Sequence, residues 1–226
     1  MNRKINKIAV IGSGVMGSGI ACHFANIGIE VLLLDIAPNK LNDNENKLGL
    51  SLDDKKVKNR IVNEMFQRCI KSKPAPLYHK TFSKRVELGN LTDDLSKIRD
   101  VDWIIEVVTE KLNIKQIVFD QIEKFRSPGT LVTSNTSGIP IKQMNEGRSE
   151  DFRKNFAVTH FFNPPRYLKL FEIIPGPDCN PKIIDFLNDF GERFLGKDFV
   201  LAKDTPGFIG NLSLIHISEP TRQFRI

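Results

Sequence analysis

The apolar positions of this chain fall into two kinds of pattern that alternate along it. KIAVIG (7–12) and EVLLLD (30–35) are continuous aliphatic runs, the pattern of strands buried on both faces of a parallel sheet. Between them, GVMGSGIACHFANIG (14–28) repeats apolar residues at helical spacing. Met16, Ile20, His23 or Phe24, and Ile27 share one side, and Gly28 ends the segment. A polar, lysine-rich section follows over 39–76. Its second half predicts an amphipathic helix with Val57, Ile61, Met65 and Cys69 inward, stopped by Pro74 and Pro76. Further strands are predicted at VELGN (86–90), DWIIEVV (102–108), TLVTSN (130–135), FAVTHF (156–161) and KLFEIIPG (169–176). DFVLAKDTPGF (198–208) predicts a last strand and an exit loop. Helices are predicted over 110–125, with Leu112, Val118 or Phe119, and Ile122 inward, and over 181–196. Strands that alternate with helices imply an α/β fold: a mostly parallel sheet with helices on both faces.

GSGVMG places Gly12, Gly14 and Gly17 in a G-x-G-x-x-G spacing with Val15 and Met16 inside it. The hexapeptide alone is a weak signal. Here it follows a strand, opens a helix and precedes a second strand that ends in an acid, Asp35. In that context the sheet is expected to be a doubly wound Rossmann type. Gly12 allows the tight turn, Gly14 lets a pyrophosphate approach the backbone, and Gly17 lets helix and strand pack closely. The helix N-terminus offers amides and a positive dipole to the phosphates. Asp35 can accept hydrogen bonds from an adenosine ribose diol. Its charge repels a 2′-phosphate, and the next residue is Ile36 rather than arginine, so NAD is expected over NADP.

Composition narrows the partners. A net charge of +6 without lysine- or arginine-rich blocks interleaved with aromatics argues against nucleic acid. Cys22, Cys69 and Cys179, at unrelated spacings, fit reduced thiols in a cytoplasmic protein and suggest neither a disulfide framework nor a metal site. No apolar stretch reaches transmembrane length, so no membrane partner is expected.

Ligands of open α/β sheets bind at the carboxyl ends of the strands. Glu110, Ser134, Asn135, Thr136, Ser137 and His160 sit at such ends and are expected to converge around the nicotinamide. His160 lies in THFFNPPRYLKLFE (159–172). If the two strands here form a hairpin centred on Arg166, His160 and Glu172 are directly opposed, six residues either side, with side chains on one face. A carboxylate in the apolar run LFEII is costly to bury alone, which argues for this pairing. The carboxylate would orient the imidazole and stabilise its charged form.

KIAVIGSGVMGSGIA, IIEVVTEKLNIK, SNTSGIPI, THFFNPPRYLKLFEIIPG and KDTPGFIGN together resemble the NAD-binding domain of L-3-hydroxyacyl-CoA dehydrogenases over residues 5–211. The polar insertion and neighbouring stretches are most similar to the bacterial fatty-acid oxidation proteins that join this dehydrogenase to an enoyl-CoA hydratase part. The resemblance implies NAD-dependent oxidation of a 3-hydroxyacyl-CoA in β-oxidation. It makes His160 the general base and Glu172 its partner. Ser137 and Asn163 would hold the substrate oxygen and order the site, and Asn211 would reach it from the next domain. Glu110 and Lys115 match positions near the cofactor ribose and nicotinamide. Lys71, Lys73 and Lys80 are candidates for CoA contact, set against a plain solvated basic face.

After Asn211 the pattern stops. Residues 212–226 resemble a translated sequencing-library adapter and are read as a non-native tail. The expected organisation is a cofactor domain over 1–200, the start of a truncated helical substrate and dimerisation domain over 201–211, and the tail. On that reading the chain is only weakly active alone, and the intact protein is a homo-oligomer or is multidomain with a hydratase part. The alternatives are an NAD-binding module without catalysis and another NAD-dependent hydroxyacid dehydrogenase.

Overall fold

The structure, a computed structural model, describes residues 3–205 and 207–210. Asn211 and the tail over 212–226 lie outside the described residues. Eight strands form one sheet in the order β3-β2-β1-β4-β5-β6-β7-β8. They are β1 (Lys7–Ile11), β2 (Glu30–Asp35), β3 (Val86–Asn90), β4 (Trp103–Glu106), β5 (Leu131–Ser134), β6 (Phe156–Phe161), β7 (Leu170–Pro175) and β8 (Asp198–Leu201). The pairs from β3 through β6 are parallel, β6 and β7 are antiparallel, and β7 and β8 are parallel. The order β3-β2-β1-β4-β5-β6 is that of doubly wound dinucleotide-binding sheets, and β7 and β8 extend it.

The helices are α1 (Val15–Asn26), α2 (Asp43–Lys47), α3 (Lys55–Lys58), α4 (Arg60–Ile70), α5 (Leu112–Phe125), α6 (Ile141–Met144), α7 (Glu150–Lys154) and α8 (Pro181–Arg193). They cover both faces because the central strands β1, β2, β4, β5, β6 and β7 are buried on both. Ile8 and Val10 of β1 pack with Ile20 and Phe24 of α1, Phe66 of α4 and Leu187 of α8. Ala9 and Ile11 belong to the opposite core, with Phe119 and Ile122 of α5 and Phe152 of α7. In β1, and over Val31–Leu34 of β2, the positions that would be polar on a solvated face are apolar and buried.

The long helix expected in the polar insertion is broken. Asn59 closes α3 and immediately precedes α4, so the helical phase restarts. Of Val57, Ile61, Met65 and Cys69, only Val57 is buried. The inward residues of α4 are instead Val62 and Phe66, against α1. Four-residue spacing drifts around a 3.6-residue helix, so that stripe could not have stayed on one face. In α5, Leu112 is only half-buried and the fully buried set adds Lys115.

Candidate active site

The glycine loop turns β1 into α1. Gly12 has φ +104°, and a Cβ there would lie 2.5 Å from the Val107 carbonyl oxygen. A Cβ on Gly17 would lie 1.8 Å from the Gly12 carbonyl oxygen, so helix and loop touch backbone to backbone. A Cβ on Gly14 would meet no protein atom within 4 Å. Nothing inside the protein requires glycine at 14, and the space beside it is where a pyrophosphate approaches the backbone. α1 begins with no side-chain cap and no acidic residue in its first turn, which leaves its dipole for an anion. The residues present therefore fit a dinucleotide. Val15 is exposed beside Gly14, and Met16 is half-buried.

Asp35 ends β2. Its Oδ2 accepts the Ser13 backbone N–H at 2.6 Å and the Ser13 hydroxyl, and Oδ1 accepts the Ile36 N–H at 2.7 Å. The acid is thus tied to the glycine loop through Ser13, a contact that the sequence pattern does not signal.

At the end of β4, Glu106 is fully buried and accepts both hydrogen bonds of a two-pronged contact from Lys115 Nζ, at 2.8 and 2.9 Å. It also accepts the Val108 N–H and the Ser134 hydroxyl. Lys115 is itself fully buried and lies 3.5 Å from Glu110 Oε2. Glu110 Oε1 accepts the Ser137 N–H at 2.8 Å and the Thr136 hydroxyl. Asn135 Oδ1 accepts the Phe161 N–H at 2.9 Å. The loops after β4 and β5 are therefore one hydrogen-bonded unit. Ser134 and Thr136 lie here as their strand-end positions imply; Glu106 is the member that the sequence does not signal, because a buried carboxylate in an apolar strand reads as part of the run.

The β6–β7 register pairs His160 with Glu172, as the spacing about Arg166 requires. His160 Nδ1 lies 2.7 Å from Glu172 Oε2. The carboxylate can only accept, so Nδ1 carries a proton, and in the neutral form of the ring the lone pair is on Nε2. Ser137 Oγ lies 3.5 Å from that Nε2. Phe162 and Phe208 flank the ring, with centroids at 4.4 and 5.8 Å. Glu172 Oε1 accepts the Ile209 and Gly210 N–H groups at 2.9 and 2.7 Å. Burial pushes the Glu172 carboxyl up, but the His160 hydrogen bond and these two amides outweigh it. The carboxyl is held below the ordinary carboxylate value. One carboxylate thus orients the imidazole and fastens the segment that leads toward Asn211.

Asn163 is exposed at the hairpin tip. With Gly14, Met65, Arg68 and Arg166 it lines a cleft of about 230 Å³ between α1, α4 and the tip. Lys71, Lys73 and Lys80 are exposed and are not among its lining residues. Two roomier clefts, of about 690 and 940 Å³, lie among α2–α4 and beside α8 at the opposite end of the sheet. Neither touches the strand ends that carry His160 and the glycine loop. Among the described residues, no helix is long and apolar enough to cross a membrane.

A parallel sheet of this order, a glycine loop open at Gly14 and an acid at the end of β2 define a Rossmann-type dinucleotide-binding domain with a histidine–carboxylate pair at its ligand end. The chain belongs to the 3-hydroxyacyl-CoA dehydrogenase family: residues 7–205 match that family's NAD-binding domain. NAD is the cofactor of that domain. The chain is 52% identical over 211 residues to a Bacillus subtilis protein named "Probable 3-hydroxyacyl-CoA dehydrogenase", covering 93% of this chain and 27% of that relative. It is 33% identical to the human mitochondrial hydroxyacyl-coenzyme A dehydrogenase, covering 93% of this chain and 63% of that protein. Among solved structures, the Escherichia coli 3-hydroxybutyryl-CoA dehydrogenase superposes with a TM-score of 0.66 at 29% identity, over 91% of this chain and 40% of that one. The chain thus spans less than two thirds of these proteins.

Proposed function

We propose that this chain is the cofactor-holding part of an enzyme that oxidises L-3-hydroxyacyl-CoA to 3-ketoacyl-CoA in fatty-acid β-oxidation. The observation that carries the reading is the His160–Glu172 pair, 2.7 Å apart, at the same end of the sheet as the glycine loop. NAD, when bound, would supply the hydride acceptor for C3. His160 Nε2 takes the hydroxyl proton as the ketone forms, and Glu172 stabilises the imidazolium that results. Ser137, 3.5 Å from Nε2, shares the substrate hydroxyl and holds it toward the base. Asn163 orders the cleft mouth, and Asn211 completes the site from the segment after Gly210. Asp35 receives the adenosine ribose, while Gly12, Gly14, Val15, Met16 and Gly17 cradle the pyrophosphate. Glu110, Lys115, Asn135 and Ser137 shape the nicotinamide side.

The organisation that suits this reading is a cofactor domain over 1–200, with 201–211 leading into a helical acyl domain. The intact protein is then a cytoplasmic homo-oligomer, or a longer chain with an enoyl-CoA hydratase part. The test follows NADH absorbance with acetoacetyl-CoA, using the full-length enzyme and its His160→Gln variant. Turnover in the parent and a loss of about 10²–10⁴-fold in the variant are expected. Equal rates would remove His160 as the base.

A further inference from the structure

Lys197 is a buried charge that this chemistry does not use. It sits in the turn between α8 and β8 and is 3% exposed. Its ammonium has carbonyls, not a carboxylate, for partners. Nζ donates to the Leu168 carbonyl at 2.6 Å and to the Pro165 carbonyl. Burial lowers its pKa to about 8. The groups facing it are themselves basic: His23 of α1 is pushed down to about 4, first by burial and then by the charges of Lys197 and Arg166. An ammonium kept under these conditions costs stability that a methionine of similar length would not.

What it holds is the tip of the β6–β7 hairpin, residues 162–169. Pro164 and Pro165 have no N–H, so the tip is poor in donors of its own while its carbonyls turn inward. From outside, the tip is held by the 75–78 segment. Arg166 donates to the carbonyls of Ala75 and Leu77, Tyr167 donates to Ala75, and the Arg166 guanidinium lies 4.2 Å from the Tyr78 ring centroid. From inside, it is held by Lys197. Between them Pro165 rests on α1, where a Cβ on Gly19 would come within 3.1 Å of its ring.

We propose that Lys197 is a positioning residue: its two hydrogen bonds to the hairpin tip seat Pro165 on the glycine-loop helix and so set Asn163 and the His160–Glu172 arms relative to the cofactor. The catalytic half of this statement rests on the hydroxyacyl-CoA reading. The structural half does not.

The test uses the full-length enzyme with Lys197→Met and Lys197→Gln. It measures amide hydrogen exchange, Tm, and kcat and KM for acetoacetyl-CoA and NADH. In Lys197→Met, exchange over 162–169 should rise at least about tenfold while β1, β4 and β5 stay protected, with Tm unchanged or raised. In the same variant kcat should fall about tenfold or more, with the KM for NADH within about twofold of the parent. Lys197→Gln, which still donates, should recover part of both, and it carries the comparison if the methionine variant does not fold. Unchanged exchange at the tip overturns the proposal, and so does faster tip exchange with unchanged kcat. Lower Tm with exposure of the whole sheet overturns it too, because Lys197 is then merely structural. If the parent enzyme does not reduce acetoacetyl-CoA, the hydroxyacyl reading falls, and exchange still decides on Lys197.

Discussion

His160 depends on a single neighbour for its tautomer, and that neighbour, Glu172, has all its observed partners in two directions: the imidazole on one side and the Ile209 and Gly210 amides on the other. Glu172→Gln should therefore cost more than a charge. The stability that the depressed carboxyl contributes is present above its unfolded pKa of about 4.3 and is lost as pH falls through the lower folded value. Chemical denaturation should show the variant weaker by about 1–3 kcal/mol at pH 7, with the gap closing below about pH 4. A gap that persists unchanged into acid would mean that Glu172 is not held ionised. The glycines allow a cleaner contrast. Gly17→Ala puts a Cβ 1.8 Å from the Gly12 carbonyl oxygen and should lower Tm sharply. Gly14→Ala meets no protein atom, so Tm should hold while NAD affinity drops, read by titration calorimetry.

At the scale of elements, α1 is the hub. Its helix is buried on nearly every side, and Phe24 packs edge-on to Trp103 and stacks on Phe190, which joins β4 and α8 through one ring. Phe24→Ala should cost about 3–5 kcal/mol in urea denaturation. In the last turn, His23 lies against the Leu195 carbonyl, with its pKa pushed down to about 4 by burial and by Lys197. A histidine whose folded pKa lies below its unfolded value stabilises fully above about pH 6.5 and progressively less as pH falls toward 4. Stability should fall by about 3 kcal/mol across that window, and His23→Phe should flatten the slope in pH-dependent denaturation.

For the whole molecule, Leu168, Leu201 and Ile209 are exposed, and they belong to the hairpin tip, β8 and the segment that binds Glu172. Leu201 is in register with Ile173, next to Glu172, and Ile209 donates its N–H to Glu172, so two of these residues border the site. The 226-residue chain should therefore bind NAD, seen as a rise in Tm on titration, yet turn over 3-hydroxyacyl-CoA poorly beside the full-length enzyme. Robust turnover by the short chain would show that the site needs nothing more.

Local pattern determined most of the sheet. Continuous apolar runs mark strands buried on both faces, and FAVTHF coincides with β6 residue for residue. The glycine spacing marked the turn, and equal counts about Arg166 marked the His160–Glu172 pair, because a hairpin pairs residues equidistant from its centre. Tertiary structure decided what depends on contacts distant in the chain. The break at Asn59 moved the inward face of α4 to Val62 and Phe66, which only α1 could select. Asp35 at the end of β2 is fastened to Ser13 just after the neighbouring β1, and Glu106 gathers Lys115 from α5 and Ser134 from β5. Lys197 reads as an ordinary lysine after a glycine, and only the packing of the hairpin tip on α1 gives its ammonium something to hold. Periodicity records which way a side chain points, but not which distant carbonyl or carboxylate waits there.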